Sequence, residues 1–279
     1  MKKVGIVSCY FKNNYGSMLQ AYATKKILDN NNIPNETINI DNNIDFKKGK
    51  RKYYASQLFN FKFIKSKFGM IKLKLDKKVV KDLGKNISVR DSKYKEFRKE
   101  FNLSISCPDY KSLSEIAESK YLDVIVGSDQ LWLPVNVVSN YYTLNWVPDK
   151  INKISYATSF GISKIPDKYS DEYKKFLSRI NHLSVREESG KKICDGYGIT
   201  SKVVCDPTIL LTREEWEQEA VQERIISDKY ILCYFLGSNI EHRKFAEKLK
   251  EKTGYKIVSL NHADEYVKYS DTFADITPY

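Results

Sequence analysis

Apolar and polar positions change period repeatedly along this chain, and each change marks an element. Lys3–Ser8 (KVGIVS) is a short, β-branched apolar run, which predicts a buried strand. Asn13–Gly16 is a polar turn. From Ser17 to Asn30 the residues Leu19, Tyr22, Ala23, Lys26 and Ile27 recur at three- and four-residue intervals, the spacing of one helix face. Beyond Pro34, Glu36–Ile40 (ETINI) alternates as a second strand. Strand, glycine-bearing turn, helix and strand in this order open a parallel α/β sheet.

The rhythm pauses between Phe46 and Lys99, where Lys alternates with Phe, Tyr, Leu and Ile in an amphipathic manner that predicts helices on the first domain. It resumes at Leu122–Val126 (LDVIV), a strand closed by the turn Gly127–Gln130. Ile154–Phe160 (ISYATSF) reads as a strand, Asp171–Ile180 as a helix and His182–Arg186 as a strand end. Glu187–Cys194 is helical, and Lys202–Cys205 is a strand that Asp206-Pro207 stops. Thr212 precedes two glutamates, a good helix start for 212–222. After a boundary at 224–229, Tyr230–Leu236, Gly237-Ser238-Asn239, a helix to Lys252, the stop Gly254 and Tyr255–Leu260 repeat the opening pattern. Two domains are expected: residues 1–225, carrying a basic amphipathic insertion at about 46–99, and 226–279, the start of an incomplete second α/β domain.

Composition narrows the class. The 279 residues are 42% hydrophobic and 29% charged, the balance of a soluble globular protein, and no apolar run is long enough to span a bilayer. The N-terminal apolar stretch breaks at Lys12 with no small-residue cleavage site, so it reads as the first strand of a cytoplasmic protein. Five scattered cysteines form no CxxC pair and predict isolated buried thiols. With three histidines, no metal centre is expected. The net charge of +12 is local: residues 46–99 hold 19 Lys or Arg against 4 Asp or Glu, so the rest of the chain is net acidic.

In open parallel sheets, ligands bind beyond the carboxyl ends of the strands. Polar turns fall at such ends at Asn13–Ser17, Gly127–Gln130, Arg186–Ser189 and Asp206–Thr208, with Gly237–Asn239 in the second unit. Glycine lets backbone approach a ligand, and a helix N-terminus offers N–H groups to an anion; equally, any βα connection needs such turns. Gly127-Ser128-Asp129-Gln130-Leu131-Trp132 sets hydrogen-bonding groups beside a large ring, the pairing that grips sugars. Alternatively, Trp132 fills the core and Asp129 caps a turn. Arg186, at a strand end, suits a carboxylate or phosphate; the other reading is a salt bridge with Glu187 or Glu188.

Read together, five blocks carry a resemblance: Asn14–Ala23 (NYGSMLQAYA), Asp123–Trp132 (DVIVGSDQLW), Tyr156–Gly161 (YATSFG), Leu183–Gly190 (LSVREESG) and Val204–Thr208 (VCDPT). In this order the chain resembles the polysaccharide pyruvyl transferases. The resemblance implies an α/β, GT-B-like fold of two Rossmann-like domains facing a cleft. It implies transfer of the pyruvyl group of phosphoenolpyruvate to a sugar, as a ketal, in cell-surface polysaccharide synthesis, with no cofactor. Arg186 is then the donor-binding residue. Asn14, Tyr15, Gly16, Ser17, Gly127, Ser128, Gln130 and Trp132 line the acceptor side, and Asp129 handles a proton or binds the sugar. The family's later Ser-[Phe/Tyr]-His-Gly element is absent before Tyr279, so a truncated member is expected. The alternatives are a GT-B-like glycosyltransferase using a nucleotide sugar and a non-catalytic glycan-binding member.

The partners implied are phosphoenolpyruvate and a glycan or lipid-linked saccharide. The basic stretch reads as a solvated face or as peripheral contact with the anionic inner face of a membrane. Nucleic acid is not expected, because no binding motif accompanies the charge.

Overall fold

Apolar runs four to seven residues long, separated by helical segments, demand a sheet covered on both faces, and that is how the chain folds. The computed structural model describes residues 2–58, 75, 83–220, 226–235 and 239–260. Two compact units emerge, one of residues 1–57 with 98–216 and one of 58–97 with 217–279. The basic stretch is therefore shared between both units. Residues 221–225, which include the first two of the expected boundary, and the turn residues Gly237 and Ser238 lie outside the described residues.

The first unit runs β1 (Lys3–Val7), α1 (Tyr15–Asn30), β2 (Asn35–Thr37) and α2 (Ile44–Ser56). The second unit contributes α3 (Leu83–Phe97) before the chain returns through α4 (Tyr110–Lys120) to β3 (Tyr121–Val126). Then follow α5 (Pro134–Ser139), β4 (Asn152–Thr158), α6 (Ser170–Leu177), β5 (His182–Val185), α7 (Glu188–Gly196) and β6 (Lys202–Val203). The six strands are parallel in the order β2-β1-β3-β4-β5-β6. Strand order reverses at β1, whose neighbours are β2 on one side and β3 on the other. The crevice beyond the carboxyl ends of β1 and β3 is thus the topological switch point, where open α/β sheets bind ligands.

Aromatic side chains build the core. Trp132, Tyr141, Tyr142, Phe160, Tyr173 and Phe176 are all buried. Their polar ends find partners, as buried Tyr and Trp require. Trp132 Nε1 donates to Tyr142 O at 3.1 Å, Tyr173 Oη to Trp132 O at 2.5 Å and Tyr141 Oη to Ile38 O at 2.8 Å. Helix α2 approaches α5 closely: a Cβ at Gly49 would lie 2.6 Å from Ser139 Cα.

In the second unit, after α8 (Arg213–Glu219), β7 (Tyr230–Cys233) pairs in parallel with β8 (Lys256–Ser259). Helix α9 (Ile240–Thr253) joins them, capped by Asn239, whose side chain accepts from Glu241 N at 2.9 Å. Gly254 ends it at φ +69°, the left-handed stop that glycine adopts without strain. Among the described residues no helix is long and apolar enough to cross a membrane.

Candidate functional site

Loops after β1, β3, β5 and β6 meet in one cavity of about 450 Å³, lined by Asn14, Ser17, Gln20, Asp129, Arg186, Asp206 and others named below. Each loop delivers its residue for a local reason. Asn14 caps α1: its Oδ1 accepts the Ser17 backbone N–H at 3.0 Å, satisfying a helix N–H that has no partner within the helix. The first turn then presents the Ser17 hydroxyl, which donates to Asp129 Oδ2 at 2.5 Å. Gln20, one turn on, is 2% exposed. Its Nε2 donates to Ser17 O at 2.7 Å, and its Oε1 accepts from Ser128 N at 2.6 Å.

The turn after β3 needs its glycine. Gly127 has φ +145°, and a Cβ there would sit 2.0 Å from Tyr156 O. Asp129 follows at φ +82°, a conformation that Asp tolerates better than most residues, with its Oδ1 accepting from Gln130 N at 2.7 Å. Register shifts in β4 between Ser155 and Thr158, around Ala157 at φ +49°. That irregularity brings Ala157 O to the Ser128 hydroxyl at 2.7 Å.

Arg186 and Asp206 form the charged wall. Arg186 Nε donates to Glu187 Oε1 at 2.8 Å, and Nη1 donates to Asp206 Oδ2 at 3.1 Å. Among the described residues its Nη2 has no acceptor, leaving one arm of a guanidinium fork toward which an anion can come. Arg186 thus makes the salt bridge with Glu187 and also lines the cavity. Asp206 Oδ1 takes the Thr208 backbone N–H at 3.0 Å and the Thr208 hydroxyl at 2.8 Å, while the Ser128 hydroxyl lies 2.9 Å from Oδ2. Burial alone raises the Asp206 carboxyl, but the bonds from Thr208, Ser128 and Arg186 outweigh it and hold the carboxyl below its usual range. Arg186 is opposed by burial and held above its ordinary value by Glu187 and Asp206.

An aromatic and an apolar side chain complete the lining, Trp216 and Leu19. Trp216 Nε1 donates to Thr208 O at 3.1 Å, and its ring lies 6.1 Å from that of Tyr22. Upstream, Thr212 and Glu215 form a capping box: Glu215 N donates to Thr212 Oγ1 at 3.2 Å, and Thr212 N to Glu215 Oε2 at 2.7 Å.

Of the residues singled out in the sequence, Asn14, Gly16, Ser17, Asp129 and Arg186 line the cavity. Trp132 does not, and its assignment to the acceptor side is corrected: it is 0% exposed, with its ring 5.1 Å from Phe160 and 5.4 Å from Phe176. Ser128 and Gly127 are buried as well, so they shape the cavity from behind rather than face a ligand. Tyr15 and Gln130 are outside the lining. The lining adds Gln20, Asp206, Thr208, Leu19 and Trp216. Leu19, Gln20, Asp206 and Thr208 lie inside the five sequence blocks, and Trp216 lies in the helix expected over 212–222.

All five cysteines are free; four are buried and Cys205, beside Asp206, is exposed, unlike the buried thiols expected. Cys205 sits against Tyr156, whose hydroxyl is pushed up to about 12 by burial and then by the neighbouring thiol. Among the described residues no three His, Cys, Asp or Glu side chains are grouped as metal ligands.

A family model described as polysaccharide pyruvyl transferase matches residues 14–278. No curated protein sequence matches the chain significantly. Among solved structures, the UDP-N-acetylglucosamine 2-epimerase of Rickettsia bellii is similar at a TM-score of 0.40 and 10% identity. That match covers 99% of this chain and 65% of the epimerase, so the chain spans less than two thirds of that protein's length.

Proposed function

The chain belongs to the polysaccharide pyruvyl transferase family, and from that premise we propose that its switch-point cavity moves the pyruvyl group of phosphoenolpyruvate onto a sugar. The observation that carries this reading is the pairing of one oriented guanidinium fork, Arg186, with a carboxylate, Asp129, in the same cavity. The donor brings a carboxylate and a phosphate, and the open Nη2 of a fixed, planar guanidinium suits either group. Glu187 and Asp206 hold the fork in place, so little side-chain freedom is lost when the donor binds.

Two sugar hydroxyls add to C2 of the donor and the bond from C2 to the phosphate oxygen breaks. The methylene carbon gains one proton and becomes a methyl group, and the other hydroxyl proton leaves with phosphate. Asp129, already a hydrogen-bond acceptor for Ser17, takes a proton from an attacking hydroxyl. Trp216, anchored through its indole N–H, offers a ring for the acceptor sugar to stack on, the part that Trp132 cannot play from the core.

The experiment is phosphate release from phosphoenolpyruvate in the presence and absence of an oligosaccharide acceptor. Acceptor-dependent phosphate release supports the reading. Release of a nucleoside diphosphate from a nucleotide sugar, with phosphoenolpyruvate inert, replaces it with glycosyl transfer.

A further inference from the structure

The first unit holds a second cavity, of about 480 Å³, that shares no lining residue with the first. Its walls are two tyrosines, Tyr53 from the C-terminal half of α2 and Tyr169 just before α6, with ring centroids 6.4 Å apart and planes tilted by 33°. Val137 and Val138 of α5 supply an apolar surface. The frame is tight, because α2 lies against α5 at Gly49 with no room for a side chain there.

Two of the polar groups around this apolar centre are held within the protein: Asn140 Oδ1 accepts from Thr143 Oγ1 and Asn145 Nδ2, and Ser56 Oγ donates to Tyr53 O. Among the described residues Lys52 and Lys168 make no ion pair, and neither tyrosine hydroxyl donates a hydrogen bond. Lys168 Nζ lies 4.8 Å from the Tyr169 ring centroid, a cation–π contact that keeps the ammonium beside the cavity. Among the described residues Glu172 is the one carboxylate in the lining, so the two lysines leave it net positive. Aromatic faces with apolar backing suit the C–H face of a pyranose, the phenols and Asn140 Nδ2 suit its hydroxyls, and ammonium groups suit a carboxylate.

We propose that this cavity is a second saccharide subsite, which takes an acidic sugar unit of an extended acceptor chain. That the ligand is a saccharide rests on the transferase reading; that it is anionic rests on the lining of this cavity. The pair of tyrosines selects a ring, and the pair of lysines selects its charge.

The test is calorimetric binding of tetragalacturonate, with neutral maltotetraose and phosphatidylglycerol-containing vesicles as comparisons, to the full chain. Tetragalacturonate binds more tightly than maltotetraose. Tyr169→Ala and Lys168→Gln each weaken it by about tenfold, whereas Arg186→Lys leaves it unchanged. Tyr169→Phe retains most of the binding, because it keeps the ring. Both positions are at the surface, and an unchanged thermal midpoint certifies each variant. The proposal is overturned if tetragalacturonate does not bind, if it binds no better than maltotetraose, or if the two variants leave it unaffected. It is also overturned if they abolish vesicle binding while sparing the saccharide, which makes the surface a lipid contact. Failure of phosphate release with intact tetragalacturonate binding removes the donor assignment and leaves the subsite standing.

Discussion

Gln20 accepts the backbone N–H of Ser128 at 2.6 Å, through a side chain that is almost wholly buried. With its amide nitrogen it also holds Ser17 O at 2.7 Å. One residue therefore fixes the first turn of α1 to the turn after β3, and those turns carry the Ser17–Asp129 pair. The cavity depends on this fastening because its two halves come from segments more than a hundred residues apart in sequence.

Replacing Gln20 by Ala leaves the buried Ser128 N–H without an acceptor, which costs about 1–3 kcal/mol. Gln20→Glu retains an acceptor oxygen for Ser128 but loses the donor to Ser17 O. Urea unfolding is expected to rank the stabilities as wild type first, and Gln20→Ala clearly below it.

The two tryptophans separate by role. Trp132→Ala empties a site in the aromatic core and destabilises the protein by about 3–5 kcal/mol. Trp216→Ala acts instead on the cavity: the acceptor's KM rises while the urea midpoint moves much less. Equal losses of stability in the two variants would contradict the division.

Gly127→Ala places a methyl group on Tyr156 O and demands φ +145° from an L-residue. The expected outcome is a chain that fails to accumulate in folded form or unfolds at much lower urea, read by circular dichroism. Gly16→Ala, by contrast, meets only Asn14 Oδ1 at 3.5 Å and is expected to fold.

Asp206 links stability to acidity. Its folded-state carboxyl is depressed, so its contribution is fully present above the unfolded value, about pH 4, and is lost as pH falls through the folded value. Arg186 stays charged across that window. The difference in unfolding free energy between wild type and Asp206→Asn is therefore constant from neutrality to about pH 4 and shrinks below it. Urea titrations at a series of pH values measure this directly.

The parallel sheet was legible because its strands are covered on both faces and so read as apolar runs, as at Lys3–Val7 and Tyr121–Val126. The switch-point turns were legible for the same reason, since each closes such a run. What pattern could not decide was the direction of a side chain. Trp132 and Trp216 are the same residue type near polar turns, yet only the packing of Phe160 and Phe176 sends the first inward. Asp206 reads as a turn residue before proline; its four hydrogen bonds come from Thr208, Ser128 and Arg186, which only the fold assembles. Gly49 looks like an accident within a basic run until α5 is seen against it.

The most direct test of the central claim is equilibrium binding of phosphoenolpyruvate to the full chain, wild type against Arg186→Lys, by calorimetry. Saturable binding to the wild type is expected, weakened by about ten- to a hundredfold in the variant, because lysine cannot reproduce the fork. Binding that is indifferent to Arg186→Lys, or no binding of phosphoenolpyruvate alongside binding of a nucleotide sugar, would contradict it.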